Sequence, residues 1–200
     1  MMVLEETEVP LAALPVDAFK AHLRHGTGFA EDGLQDEVLE GFLRAALSAI
    51  EARTGKVLIA RAFELILNGW RDATGQALPL APVVSIEAVI TVAQDGAETV
   101  LPPVLYRLER DSQRPRLMPV SALLPMVPRG GAVRVLMTAG MAPAWGGLPA
   151  DLRQAVLLLA AHYYEYRDDT ALSAGCMPFG VSTLIERYRT VRLLGGGGLT

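Results

Sequence analysis

Three histidines, one cysteine and five tyrosines are the side chains best suited to reactive chemistry in this sequence. His22 and His25 stand three residues apart, so one helical face would offer both to a metal ion. No carboxylate is spaced with them as a metal site needs, and a helix C-terminus favours positive charge without any metal. The run His162-Tyr163-Tyr164-Glu165-Tyr166-Arg167 is the densest polar stretch. On a helix, His162 and Tyr166 share one face, and Tyr163 and Arg167 share another. That fits a catalytic His–Tyr pair, or an amphipathic helix end with tyrosines half in the core and half wet. The second reading needs no substrate and is the one adopted. Cys176 has no histidine near it in sequence and reads as a bystander thiol. No HExxH, CxxC or GxSxG pattern occurs. The glycine run at 195–198 lacks the Lys-Ser/Thr and the following helix of a phosphate loop. Acid pairs such as Glu31-Asp32 and Asp168-Asp169 read as solvated faces. The expectation is no catalytic residue, no cofactor and no metal.

Function must therefore lie in the elements of the fold and the surfaces they present. Hydrophobic residues make up 51% of the 200, enough for a real core. A lone cysteine closes no intrachain disulfide and builds no cysteine-rich zinc site. No apolar run reaches the roughly 18 residues that span a bilayer. The first residues carry Glu5, Glu6 and Glu8, where a secretory signal needs a basic start. The expectation is a soluble protein made in the cytoplasm, with no membrane partner.

Residues 15–24 read as a short helix, with Asp17 as its cap and Phe19 and Leu23 on one face. Residues 36–54 read as a longer one, since Leu39, Leu43, Leu47 and Ile50 recur at three and four. Gly55 is its stop. The pattern then alternates. Residues 56–70, 83–93, 99–101, 105–108, 116–118 and 132–138 read as five or six short strands. Turns are expected at 72–75, 94–96 and 129–131. Helix returns after Pro149 with Leu152, Val156, Leu159 and Ala160 on one face, and a last helix spans 181–193. The expected fold is α+β, with N- and C-terminal helices forming a bundle around an inserted small antiparallel β-domain. Its parts are 15–55, the insert 56–140, 149–194 and a flexible tail at 195–200.

Charge is uneven. Residues 1–60 hold ten acids and five bases, and the remaining 140 hold twelve and thirteen. Lys20 and Lys56 are the only lysines; the other sixteen bases are arginines, which suit bidentate interface contacts but are also favoured by GC-rich coding. A net charge of −4 argues against general DNA coating.

Several stretches in order resemble a known family. "KAHLR" at 20–24 and "AIEARTGKVL" at 49–58 are similar to its short Lys-x-x-Leu-Arg helix and its helix ending in Glu-x-x-Thr-Gly-(Arg/Lys). Trp70, "ALPLAPVVSIEAV" at 77–89, Asp95-Gly96, Tyr106, "VLMTAGM" at 135–141 and "LPADLRQAVLLLAAHYYEYR" at 148–167 continue the likeness. The family is the head–tail connector (adaptor) family of long-tailed phages, and the likeness is greatest to the adaptors of gene transfer agents. It covers most of 18–168; residues 169–200 match no pattern.

The resemblance implies a non-enzymatic subunit of a homo-oligomeric ring of twelve in the neck of a phage-like particle. The ring would sit beneath the portal protein, receive a stopper or tail-completion protein, and let DNA pass. A ring needs two unlike complementary surfaces on each subunit. The last helix carries Arg187, Arg189 and Arg192 against Glu186 alone. It is the expected portal-docking element, through Ile185, Tyr188, Arg189, Arg192, Leu193 and Leu194. A surface helix folded on its own domain is the other reading of it. For the whole chain the alternatives are another neck role, stopper or tail terminator, or a small soluble enzyme with a polar pocket.

Overall fold

The computed structural model describes residues 1–23, 33–167 and 177–189. It is a mixed α+β protein with antiparallel sheets. Four helices, α1 (Val16–His22), α2 (Gly33–Thr54), α3 (Ala150–Glu165) and α4 (Phe179–Ile185), bury their apolar faces in one cluster. Phe19, Leu43, Ile50, Leu152, Leu159 and Ile185 are its fully enclosed large side chains from these helices, joined by Leu39 at 2% exposure. The three-and-four spacing that predicts α2 is the spacing that puts Leu39, Leu43, Leu47 and Ile50 on that face.

Eight strands follow their own logic. β1 (Met2–Glu5), β2 (Arg61–Leu67), β4 (Val83–Val92), β5 (Glu98–Val100) and β8 (Ala132–Ala139) form one antiparallel sheet in the order β1-β2-β8-β4-β5. β3 (Gln76–Ala77), β6 (Tyr106–Glu109) and β7 (Arg116–Pro119) form a second in the order β3-β7-β6. Strict alternation in β8 sends Val133, Val135, Met137 and Ala139 inward. They meet Leu65 and Val89 from the large sheet and Tyr106 and Leu117 from the small one in a second apolar cluster.

Four expectations change. The chain opens on a strand, so the order is not simply helices, strands, helices: Met2 pairs with Ile66 and Glu5 with Phe63. Seven strands, not five or six, lie within 56–140, because the two-residue β3 is too short to leave a period. Asp17 lies in the first turn of α1, and Pro15 occupies its cap position. The last helix starts at Phe179, directly after Pro178, and its α part ends at Ile185. One 3-10 turn, Glu186–Tyr188, follows, and Arg189 is extended. Such a tightened turn satisfies the terminal carbonyls of a short helix. Gly55 stops α2 as expected, with φ 69 and its N–H donating to the Glu51 carbonyl at 2.8 Å.

Candidate functional site

The residues between the two clusters form the most connected polar site. The sequence Glu51-x-x-Thr54-Gly55-Lys56 ends α2, and each of these residues has a separate task. Glu51 accepts from the Leu58 N–H at 2.7 Å and from Arg61 Nη2 at 2.8 Å. Thr54 Oγ1 donates to the Ile50 carbonyl at 2.8 Å and accepts the Lys56 N–H at 3.2 Å. Gly55 supplies the left-handed backbone that turns the chain. Lys56 is 4% exposed and donates through Nζ to Gln113 Oε1 at 2.6 Å, in the turn between β6 and β7. Burial pushes the Lys56 ammonium below its usual range, and Asp111 works against that shift.

Arg61 is the centre. Its side chain is 7% exposed and bonds Glu51 of α2 and, at 2.6 Å, Glu5 of β1. Its guanidinium also lies 4.9 Å from the Phe63 ring centroid. Burial opposes its charge, but the hydrogen bonds and fields of Glu51 and Glu5 outweigh burial and raise its pKa. Beside it, Ala60 donates to the Ala142 carbonyl at 2.8 Å, and Ala142 donates to Leu58 at 3.1 Å. At Gly140 (φ 155) an added Cβ would stand 2.2 Å from Ala60 Cα. A groove of about 430 Å³ borders this site, lined by Glu5, Glu8, Arg44, Ser48, Glu51 and Arg61 among others. Its charged walls are engaged with one another: Arg44 pairs with Glu8 at 3.7 Å, and Arg61 with both Glu5 and Glu51. The arrangement locks elements together.

The expected docking residues are dispersed. Ile185 is 1% exposed within the helical cluster, so it packs the chain's own core. Tyr188 is half-buried and donates to Asp151 Oδ1 at 2.8 Å; burial raises its phenol above the usual range. Arg187 pairs with the same carboxylate at 2.7 Å, and exposed Arg189 pairs with Glu186 at 3.1 Å. Arg192, Leu193 and Leu194 lie outside the described residues, as do His25, Cys176 and the tail at 195–200. His22 ends α1. His162 and Tyr166 do share a face, with ring centroids 4.7 Å apart. Arg167 does not join Tyr163: it lies 4.7 Å from the Tyr164 ring and donates to the Tyr164 carbonyl. Tyr164 meets Phe42 edge-on at 5.8 Å, so this run seals the helical core. Among the described residues no group of three His, Cys, Asp or Glu could hold a metal, and no helix is long and apolar enough to cross a membrane.

Sequence reasoning missed Arg61, Glu5, Gln113 and Asp151 as partners. The Glu-x-x-Thr-Gly-Lys run was the available signal for the joint, since it is the part of the site that is local in sequence.

No family model matches the chain, and no curated protein does. Solved structures match it throughout. A chain in the neck of an empty GTA particle computed with C6 symmetry is 52% identical, with TM-score 0.88 over 98% of this chain and 99% of that one. A chain in the virion of a native gene transfer agent (GTA) particle is 52% identical, with TM-score 0.85 over the same shares. A chain in the neck of a native GTA particle computed with C12 symmetry is 48% identical, with TM-score 0.83 over the same shares. Fold and comparisons together define a structural component of a gene transfer agent particle. More closely, the chain belongs to the neck proteins of gene transfer agents.

Proposed function

We propose that this protein is the head–tail adaptor of a gene transfer agent particle: a non-enzymatic subunit of a ring, of twelve copies, between portal and tail proteins, through which DNA passes. The observation that carries this is the likeness, at 48% identity over 98% of the chain, to a chain in a native GTA neck computed with C12 symmetry. The ordered motifs at 20–24, 49–58, 77–89, 135–141 and 148–167 agree with the connector family in particular. In this reading the helices of 15–55 and 149–194 form the bundle, 56–140 is the inserted β-domain, and the strand Met2–Glu5 returns to complete its sheet.

Portal docking is assigned to the segment that begins at Arg189 and includes Arg192, Leu193 and Leu194, with Ile185 and Tyr188 anchoring it to the chain's own helices. A truncation test must respect that anchoring. Deleting 181–200 would remove Val181 and Ile185 from the core, so deleting 190–200 is the informative version. It should leave the protein folded and abolish binding to purified portal. Retained portal binding would overturn the docking assignment. For the adaptor role itself, electron microscopy of particles from a gene deletion should show filled heads without tails. Tailed particles would contradict it.

A further inference from the structure

Strand register sorts the two outer faces of the β part. Rows of directly paired residues run Met2, Ile66, Arg134, Ile90, Val100 and Leu4, Glu64, Leu136, Ala88 across the large sheet. Their neighbours Leu65, Val135 and Val89 point into the β core, so these rows point outward. A sheet with one solvated face normally shows polar residues there. Here Met2 is 51% exposed, Leu4 38% and Val100 62%, and Ile66 and Leu136 belong to neither apolar cluster, while Ile90 and Glu64 in the same rows are buried at 8% and 4%. Arg134 bridges Glu64 and Glu98 across this face, and Glu87 accepts from Thr138 at 3.0 Å on it. Three carboxylates therefore accompany one guanidinium.

The small sheet closes the same core from the other side, through Tyr106 and Leu117. Its outward positions are Arg107 opposite Met118 and Glu109 opposite Arg116. With the turn that follows β6, it carries Arg107, Arg110, Arg114 and Arg116 against Glu109, Asp111 and Asp72, the last paired with Arg116 at 3.1 Å. One molecule thus has an apolar, acidic front and a basic back on opposite sides of one β core.

We propose that the front of the large sheet seats the back of the small sheet of the next copy of this chain, forming the contact that closes the ring. The inference rests on the ring reading above. Front and back are unlike surfaces, as a heterologous contact requires, and their charges are opposite. The surface that complements the front lies on the chain itself, which makes a second copy its occupant.

The test uses particles carrying full-length protein in a Cys176→Ser background. With Val100→Cys and Arg107→Cys together, a short bismaleimide should give a ladder of covalent multimers; either cysteine alone should give none. A monomer band from the double variant, in particles whose averaged necks still show the ring, overturns this contact. Necks with no ring of this chain overturn the ring reading instead. Val100→Arg, which sets a cation against the neighbour's arginines, should lower incorporation into necks by on the order of tenfold with an unchanged urea midpoint. Val100→Glu should assemble. Equal incorporation of the two would also sink the proposal.

Discussion

At the scale of single residues, the joint concentrates the positions least tolerant of change. Gly140 has no room for a methyl group, since its Cβ would overlap Ala60 backbone. Gly140→Ala should cost about 3 kcal/mol or more in urea unfolding, because backbone on both sides must move. Arg61→Ala strands Glu51, whose side chain is 13% exposed, and should cost roughly 3–5 kcal/mol. Replacing both Arg61 and Glu51 by methionine should cost less than the sum of the single changes, since neither charge is then left buried alone. A double-mutant cycle that came out additive would show the pair to be independent. By contrast Arg189→Ala, which removes an exposed pair with Glu186, should change stability by about 0.5 kcal/mol or less.

At the scale of elements, α4 shows how far periodicity can be read. Leu184, Ile185 and Tyr188 have helical spacing, yet the α-helix stops at Ile185. The Tyr188 hydroxyl is fixed on Asp151 at the start of α3, a contact that no local pattern announces. Ile185→Ala should cost about 2–5 kcal/mol, because Ile185 is enclosed by the helical cluster. Its neighbour Glu186 belongs to no apolar cluster, and Glu186→Ala should be near neutral by the same measurement. α2, α3 and β8 were legible because each repeats its apolar period over many residues, as at Leu39, Leu43, Leu47 and Ile50. β1 was hidden by its brevity and by the acids that follow Leu4. Arg61 looked like an ordinary strand arginine, because its two carboxylate partners come from residues 10 and 56 positions away. Long-range pairing of that kind leaves no trace in local spacing.

At the scale of the whole molecule, the two tryptophans divide the labour of reporting. Trp70 packs on the β cluster, and its Nε1 donates to the Pro125 carbonyl at 2.7 Å; Trp145 packs on the helical cluster. The chain has no others. Trp70→Phe and Trp145→Phe variants therefore each leave one fluorescent probe. In urea the two probes should give coincident midpoints, since the joint couples the clusters into one cooperative unit. Adding Arg61→Ala should separate those midpoints. Coincident curves in that background would mean that the coupling runs through apolar packing alone.

The way the chain passes between the clusters has a mechanical consequence. Among the described residues the path between strands and helices is made three times: after Glu5 to reach Val9, from Thr54 through Leu58 and Ile59 to Phe63, and from Ala139 to Ala142. One crossing would act as a swivel and two would leave an axis to fold about, the freedom usual for parts joined by a linker. Three anchored crossings act like the legs of a tripod. A tilt imposed on the helices is handed to the sheets undiminished, so whatever grips one end of this subunit sets the attitude of the other.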